Sequence, residues 1–253
     1  MSWAILIAPL AHADRAEDLY ERVVALQGQR IIAEAPLPKP EEVRRSLDGH
    51  TPTGTHRVEG VDAVQGYGLH VFDVPIQQVW MAINDTPHQR GFTAVDRTET
   101  ISGTPRADGR VSYQLLEIPV IADRWWVVRT KNNGALFDRT HGEVWEMGWV
   151  DATSDAAILA NVSPELKSLG IPVGFARGSW LLIDLGGSTW AEYYVWTDPG
   201  GNLPIAATNQ FAETQVAHAI NGVDVMARKH IPTCTAAFFE PNGDPLPGPV
   251  VER

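Results

Sequence analysis

A charged pair on two neighbouring predicted strands is the first candidate for chemistry. Arg129 alternates with Trp125 and Val127 along one strand, so the three side chains share a face. If that face turns inward, the guanidinium enters apolar surroundings, where it must be paired or must bind a polar group of a ligand. Glu117 on the preceding strand could supply the carboxylate, which would keep both charges inside. The alternative is a salt bridge at the rim of the sheet and an exposed Glu117.

Aromatic residues on the predicted strands and polar residues on the predicted last helix form a second set of candidates. Aromatic rings serve both ligand contact and core packing, and packing accounts for any single ring more often. Tyr194 and Trp196 share one strand face and Tyr193 and Val195 the other, so alternation leaves open which pair turns inward. The candidate ligand-contacting residues on these elements are Trp125, Trp145, Trp180, Tyr194, Trp196, Asn209 and Glu213.

Motifs for catalysis and metal binding are absent from the sequence. There is no Gly-x-Ser-x-Gly elbow, no His-Glu-x-x-His pair and no phosphate-binding loop with its lysine. The eight histidines are scattered without metal-ligand spacing. The single cysteine, Cys234, excludes an intramolecular disulfide and a site built from several thiolates. The sequence therefore predicts no catalytic residue, no metal ligand and no cofactor.

The composition indicates a globular chain that does not bind nucleic acid. Of its 253 residues 44% are hydrophobic, enough for one large domain or for one domain with an extension. The net charge is −11 and no Lys/Arg-rich block interrupts it, which argues against binding to a phosphate backbone. Nine tryptophans suit a large core as well as a large apolar cavity.

The first residues resemble the end of a secretory signal. An apolar run over residues 3–10 precedes Ala11-His12-Ala13, which has the pattern of a cleavage site. The positively charged region that normally comes first is missing, so an apolar N-terminal strand is the alternative. We expect an exported or periplasmic protein, and a cytoplasmic protein is the alternative.

Periodicity and turn residues predict a series of antiparallel strands followed by a long helix. Residues 14–29 have a helical pattern, and residues 35–56 read as a linker with at most one helical turn. Pro75 opens a short amphipathic helix, and residues 151–179 are irregular. The long helix covers residues 203–230. Strands are predicted over residues 66–74, 92–102, 110–119, 124–132, 142–150, 179–186 and 189–197.

The segment between the last predicted strand and the long helix explains how these elements pack. Asp198-Pro199-Gly200-Gly201 ends the strand and reverses the chain, because its glycines allow backbone angles that other residues resist. Asn202 suits the N-cap position and Pro204 the first turn of a helix. The helix then lies across the concave apolar face of the sheet, which predicts an α+β fold.

Three stretches of the chain resemble the START-like lipid-binding domains of the helix-grip (SRPBCC) superfamily, in their bacterial form. They are GLHVFDVPIQQVWMAIND, IPVIADRWWVVRT and TWAEYYVWTDPGGNLPIAATNQF, which occur in the family's order and together extend over about residues 60–231. Trp125 stands where the family usually has an acidic residue, and residues 151–179 are longer than the family's cavity-covering loop. The resemblance implies a curved antiparallel sheet wrapped around a long C-terminal helix, with an internal hydrophobic cavity.

The patterns above and the resemblance together predict a division of the chain, and the resemblance implies a function. We expect a signal-peptide remnant over residues 1–13, an N-terminal helix and linker over 14–60, the START-like domain over 61–232 and a loose tail over 233–253. The expected function is non-covalent binding, and transfer, of a lipid or other hydrophobic small molecule, with Arg129 meeting its polar end. Residues 151–179 or the start of the last helix would form the gate. A cyclase- or hydrolase-like enzyme using the same cavity and an interaction module without a cavity are the alternatives.

The expected partners follow from the same reasoning. The protein would bind a hydrophobic small molecule or lipid, make transient contact with a membrane during transfer and bind no nucleic acid. The sequence leaves its oligomeric state open.

Overall fold

The structure is a computed structural model that describes residues 7–58, 63–118, 122–200 and 205–247. Side chains are described from Asp14 onward and, in the last helix, from Ala212 onward. The predictions made for Asn202, Pro204 and the side chain of Asn209 therefore lie outside the described residues.

A large curved sheet dominates the described part of the chain. Nine strands take part, in the order β1-β2-β9-β8-β6-β5-β4-β3, and the short β7 pairs in parallel with β5. All other neighbours are antiparallel. The strands are β1 Thr53–Arg57, β2 Val64–Phe72, β3 Arg97–Ser102, β4 Val111–Leu116, β5 Arg124–Asn132, β6 Val144–Asp151, β7 Ile171–Pro172, β8 Phe175–Asp184 and β9 Thr189–Asp198.

Helices cover this sheet on both faces. The longest of the described helices, α7, is followed directly by a π-helical turn over Met226–His230. A two-stranded hairpin of β10 Phe238–Phe239 and β11 Pro245–Leu246 follows. The helices are α1 Ile7–Leu26, α2 Pro40–Leu47, α3 Ile76–Asn84, α4 Gly134–Arg139, α5 Ala156–Leu159, α6 Pro164–Lys167 and α7 Ile205–Val225.

Helix α7 lies against the inner face of the sheet because two glycines on β2 let it approach closely. A Cβ atom added at Gly68 would come within 2.6 Å of Ile220 Cδ1, and one at Gly66 within 3.0 Å of Val216 Cγ2. Helix α3 packs beside α7 and buries Trp80 in the same apolar core. The predicted α+β helix-grip architecture is confirmed in its essentials, a curved antiparallel sheet with a long helix along its inner face.

The outer face of β2, β6, β8 and β9 is covered by the N-terminal segment. Leu19 and Val23 of α1 and Val43 of α2 pack on strand residues such as Leu181 and Trp190. The Trp190 indole Nε1 donates a hydrogen bond to Ser46 Oγ of α2 at 3.0 Å. The segment predicted as a linker thus forms a second apolar layer, and it contains both α2 and the edge strand β1.

A buried cluster of three charges fastens this N-terminal layer to the sheet. Arg30 has no exposed side-chain surface, and its Nη2 lies 2.7 Å from Glu192 Oε1 and its Nε 3.7 Å from Glu146 Oε1. Glu146 also accepts hydrogen bonds from the Ile31 amide and Asn133 Nδ2. Burial raises the pKa of Glu146 above its ordinary value, although these donors and Arg30 oppose the shift.

The outer face of β3, β4 and β5 is covered by the segment that follows β6. Val162 and Leu166 pack against Tyr113 and Trp125. The Tyr113 hydroxyl donates a hydrogen bond to the Leu166 carbonyl at 3.0 Å. Sequence analysis proposed this segment as a cavity gate, but its two short helices lie on the opposite side of the sheet from α7. Both faces of the sheet are therefore buried along most of its width.

The C-terminal region is also packed, whereas the sequence predicted a loose tail. Phe238 is buried in the core under α3, and the Trp80 indole Nε1 donates a hydrogen bond to the Phe239 carbonyl at 2.8 Å. Proline and glycine residues make this segment look irregular in sequence, but they form the turn of the β10–β11 hairpin.

Candidate functional site

A pocket of about 310 Å³ lies between α7, the end of α3 and the inner face of the sheet. Most of its described lining is apolar. Strand alternation supplies that lining, because every second residue of β5, β6, β8 and β9 points inward. The apolar residues that these four strands contribute to the lining are Trp126, Val128, Met147, Trp149, Ala176, Trp180, Tyr193 and Val195.

Three aromatic rings form one continuous wall of the pocket. The Trp180 and Tyr193 ring centroids are 4.5 Å apart, and those of Trp149 and Tyr193 are 5.9 Å apart with the rings nearly parallel. Gly178 makes this wall possible, since an added Cβ would come within 2.4 Å of the Trp149 ring. Burial raises the pKa of Tyr193 well above its ordinary value, so its phenol is neutral near pH 7.

Arg110 is the charged residue at one end of this apolar pocket. Its residue surface is 1% exposed. Its Nη1 donates hydrogen bonds to Asn84 Oδ1 at 3.0 Å and to the Ala107 carbonyl at 2.9 Å. Its Nη2 contacts only the sulfur of Met147 at 3.4 Å, and its Nε has no hydrogen-bond partner among the described residues. Within that part of the chain no carboxylate lies within 4 Å of the Arg110 guanidinium.

This setting leaves Arg110 charged but poorly compensated. Burial lowers its pKa to about 10, opposed in part by the more distant carboxylate of Asp108. The guanidinium therefore still carries its proton at neutral pH. A buried charge without a counterion costs free energy, and an anionic or strongly polar ligand group would remove part of that cost.

Arg124 lines the opposite end of the pocket and has a different role. Its Nε donates a hydrogen bond to the Pro199 carbonyl at 2.6 Å, and Nη1 and Nη2 reach the carbonyls of Ala122 and Gly200. These donors hold the turn that follows β9. Arg124 is thus satisfied by backbone oxygens of the chain, whereas Arg110 is not.

Further polar atoms in the lining are left without partners. Gln215 Oε1 of α7 and Thr86 Oγ1 are buried and accept no hydrogen bond from the described residues. Gln114 Oε1, in contrast, accepts a hydrogen bond from the Trp126 indole at 2.6 Å. The described lining contains no Asp, Glu, His, Cys or Lys side chain.

The predicted ligand-contacting residues divide between the two faces of the sheet. Trp180 lines the pocket. Trp145 points to the inner face but packs against Trp80 and Phe137 in the core. Glu213 of α7 is exposed and does not line the pocket. Three predicted aromatic residues are buried on the outer face, and these are Trp125, Tyr194 and Trp196.

The predicted Arg129–Glu117 pair is not inside the pocket. Arg129 and Glu117 are both exposed, and neither belongs to the lining. The physical reason is alternation along β5, where Arg124, Trp126 and Val128 turn inward and Arg129 turns outward with Trp125. The prediction that Arg129 and Glu117 form the polar end of the site is therefore corrected, because neither residue lines the pocket.

Arg110 takes the position that sequence analysis gave to Arg129. The register of β4 and β5 explains this, because the Thr130 amide donates to the Arg110 carbonyl at 2.9 Å and both side chains turn inward. One sequence pattern could have indicated it. Arg110 shares its strand face with Ser112 and Gln114, so an interior strand carries a polar stripe on one side.

In the described part of the chain, no helix could span a membrane. None of these helices combines the length and the hydropathy that crossing a membrane requires.

The architecture matches solved structures of lipid transfer proteins at low sequence identity. Neither a family model nor a curated protein matches the sequence. The human StAR-related lipid transfer protein 5 shares 13% identity over 85% of this chain and 98% of its own, with a TM-score of 0.58. A STAR-related lipid transfer protein fragment from Xanthomonas axonopodis shares 15% identity over 71% and 94%, with a TM-score of 0.56. Human STARD10 shares 15% over 76% of each chain, also at 0.56. The chain has a START-like helix-grip fold.

Proposed function

From this START-like helix-grip fold we propose that the protein binds one lipid or other apolar small molecule non-covalently in the pocket. An anionic or strongly polar group of that ligand would lie at Arg110. The observation that carries the proposal is a buried, protonated guanidinium without a described counterion at the end of an apolar pocket. The structural relatives named as lipid transfer proteins support the same class of ligand.

The size and shape of the pocket favour an elongated ligand. Its volume of about 310 Å³ falls at the lower end of the range for small-molecule sites. The lining follows β5 from Arg124 to Thr130, six residue steps or about 20 Å along the strand. Each methylene group buried there would contribute about 0.8 kcal/mol, so a long apolar chain binds with few polar contacts.

Arg110 would give the ligand its direction. A hydrogen bond to a charged group contributes about 1.5–3 kcal/mol. Nε, which has no described partner, and Nη2, which contacts the Met147 sulfur, could donate side by side to one carboxylate or phosphate. The polar group would therefore lie at the Arg110 end and the apolar chain would extend toward Arg124 and Pro199.

The enzymatic alternative lacks the groups it would use. Among the described lining residues the titratable side chains are Arg110, Arg124 and Tyr193. The pKa of Tyr193 is raised and that of Arg110 stays near 10, so neither acts as a base at neutral pH. The alternative of a module without a cavity is disfavoured by open space beside the Trp149–Tyr193–Trp180 wall.

The first experiment identifies what the protein carries. Native mass spectrometry of the purified full chain, with organic extraction of the same sample, would show an apolar ligand at close to one per chain. A titration would then compare a long-chain fatty acid with the matching fatty alcohol. We expect the acid to bind more tightly, because only its carboxylate pairs with Arg110.

A matched pair of variants separates Arg110 from nonspecific charge effects. Arg110→Met should abolish the preference for the acid over the alcohol, and Arg129→Met, which alters an exposed arginine on the other face, should keep it. An empty protein that takes up neither probe, or an acid preference that survives Arg110→Met, would contradict the proposal.

Transfer between membranes is the finer part of the proposal. It requires that the protein extract its ligand from one bilayer and release it into another. A fluorescent fatty acid in donor vesicles, mixed with acceptor vesicles and catalytic amounts of protein, measures this directly. Binding without faster exchange would leave a carrier or sensor and would exclude the transfer activity.

A further inference from the structure

A second polar cluster lies outside the pocket, where the ends of α3 and α7 meet. Three potential ligand atoms surround one carboxylate oxygen, Oδ2 of Asp85. His88 Nδ1 lies 2.9 Å from it, His230 Nε2 lies 2.7 Å from it and Cys234 Sγ lies 4.0 Å from it. The ligand atoms of Asp85, His88 and His230 all lie within 4.8 Å of one another.

Three separate turns of the chain position this cluster. Asp85 caps the C-terminal end of α3, and His88 ends the short 3₁₀ turn that follows. His230 ends the π-helical turn after α7, and Cys234 follows the next turn. A π-helical turn inserts a residue into the helical register and is often found at functional sites, and here it directs His230 toward Asp85.

Arg106 engages the other carboxylate oxygen, Oδ1, which His88 Nδ1 also approaches at 3.0 Å. The Arg106 Nε and Nη2 lie 2.7 Å and 2.6 Å from Asp85 Oδ1. Asp85 is thus an oriented, buried carboxylate whose Oδ2 faces two imidazoles and a thiol.

We propose that Asp85, His88 and His230 form the core of a site for a divalent transition-metal ion, with Zn²⁺ the best match, and that Cys234 completes it as a fourth ligand after its side chain rotates. Two imidazole nitrogens, one carboxylate oxygen and one thiolate are ligands that Zn²⁺ binds in tetrahedral geometry. In such a site neighbouring N and O ligands are about 3.3 Å apart, given metal–ligand distances of about 2.0 Å. On metal binding the 2.7–2.9 Å separations between the nitrogens and Asp85 Oδ2 would have to open to that value, and Cys234 Sγ, which lies outside the group of mutually close ligand atoms, would have to move toward the histidines.

The exposure of the residues leaves a way in for the ion. The His88 side chain is 51% exposed and that of His230 is 23% exposed, whereas Asp85 is fully buried. The two imidazoles would bind as neutral rings that carry their proton on the other nitrogen. Cys234 would bind as the thiolate and release its proton to solvent, so one proton leaves for each ion bound.

One feature of the cluster opposes metal binding and so provides a specific test. Arg106 Nη2 lies 3.5 Å from His88 Nδ1, which places a positive charge close to the incoming ion. If the cluster binds a metal, Arg106→Met should tighten Zn²⁺ binding because it removes that charge. If the cluster serves only as a set of ion pairs, Arg106→Met should give no stoichiometric Zn²⁺ binding.

The test uses the full chain after treatment with a chelator and buffer exchange. Titration with Zn²⁺ should give one ion per chain, and Co²⁺ should add visible d–d bands with a near-ultraviolet thiolate charge-transfer band. We expect His230→Gln and His88→Gln to weaken Zn²⁺ binding about tenfold or more, consistent with the loss of one ligand. Cys234→Ser should remove the charge-transfer band, and Arg106→Met should tighten binding severalfold.

A control and two contrary results complete the design. His218→Gln alters an exposed histidine elsewhere on α7 and should leave binding unchanged. A variant of the buried Asp85 would risk misfolding, so the test uses the partly exposed His88 and Cys234 instead. Zn²⁺ binding that is unchanged by His230→Gln, or no stoichiometric binding even in Arg106→Met, would overturn the site. Neither result depends on the occupant of the pocket.

Discussion

Arg30 and Arg110 lie on opposite faces of one sheet, and both are almost completely buried, but their partners differ. Arg30 on the outer face contacts the carboxylates of Glu146 and Glu192. Arg110 on the inner face contacts an amide oxygen, a carbonyl and a thioether sulfur. Burial acts to lower the pKa of both guanidinium groups, but the two carboxylates reverse the direction for Arg30.

This difference separates Arg30, whose charge stabilises the fold, from Arg110, whose charge we propose binds a ligand. The Arg30 cluster joins the N-terminal segment to the sheet, and its guanidinium lies within ion-pair distance of two carboxylates. The Arg110 side chain lines the pocket, and its Nε has no described hydrogen-bond partner. The chain supplies the counterions on one face, and we expect a ligand to supply one on the other.

The largest effect is expected from removal of Arg30. Arg30→Met would leave two carboxylates buried without their cation, which should lower the free energy of unfolding by about 3–5 kcal/mol. Urea denaturation measures this. Arg22→Met is the matched control, because its exposed salt bridge to Glu143 should contribute less than about 1 kcal/mol. Equal losses in the free energy of unfolding for the two variants would show that the Arg30 cluster does not hold the fold together.

Removal of Arg110 should have two effects of opposite sign. Affinity for an anionic ligand should fall about 10–100-fold, since a charged hydrogen bond contributes about 1.5–3 kcal/mol. The free energy of unfolding of the ligand-free protein should rise by about 1 kcal/mol, because an uncompensated buried charge is replaced by an apolar side chain. Titration calorimetry and urea denaturation measure the two. A large loss of stability would show that Arg110, like Arg30, holds the fold together.

Filling the pocket should sharpen the contrast between the open inner face and the packed outer one. Ala219→Trp places an indole among the pocket-lining residues of α7. Displacing about two methylene groups of the ligand should weaken binding about tenfold. The same change at Ala157, exposed on α5, should leave ligand affinity unaltered. Unchanged uptake by the Ala219 variant would place the ligand elsewhere.

The smallest effect concerns the pH dependence of the Arg30 cluster. The pKa of Glu146 is raised in the folded protein, so its contribution to stability is fully present below the unfolded pKa and is lost as pH rises through the folded value. Glu146→Gln removes this contribution. Between pH 7 and pH 4.5 the stability of the wild type relative to that variant should increase as pH falls. A relative decrease would show that Arg30 outweighs burial at Glu146.

The sequence predicted the elements better than it predicted their faces. The strands predicted over residues 124–132 and 189–197 appear as Arg124–Asn132 and Thr189–Asp198. Alternation and turn residues are local features, and they define such strands well. The edge strand Thr53–Arg57 was missed because its polar residues have no apolar face to reveal it.

The orientation of each strand was the part that sequence could not supply. On β5, Arg124, Trp126 and Val128 form one face and Trp125, Val127 and Arg129 the other, and the two sets are nearly equal in character. Alternation identifies the inner face only when the outer face is polar. Here the N-terminal segment and residues 152–170 bury the outer face, so hydrophobicity no longer distinguishes the two.

The cluster of Asp85, His88 and His230 was not predicted for a related reason. Asp85 and His230 are 145 residues apart, and only the packing of α3 against the turn after α7 brings them together. Sequence spacing reveals ligands that share one helix or loop. It cannot reveal ligands that meet across the ends of two distant helices.

The N-terminal layer has a consequence for how the chain can be shortened. A fragment trimmed to residues 61–232, the boundaries suggested by family resemblance, would lose Leu19, Val23 and Val43 and leave Leu181 and Trp190 facing water. It would also lose Arg30, and Glu146 and Glu192 would then remain without their cation on a newly exposed surface. We expect such a fragment to aggregate on expression, and we expect a chain that keeps α1, α2 and the β10–β11 hairpin to fold.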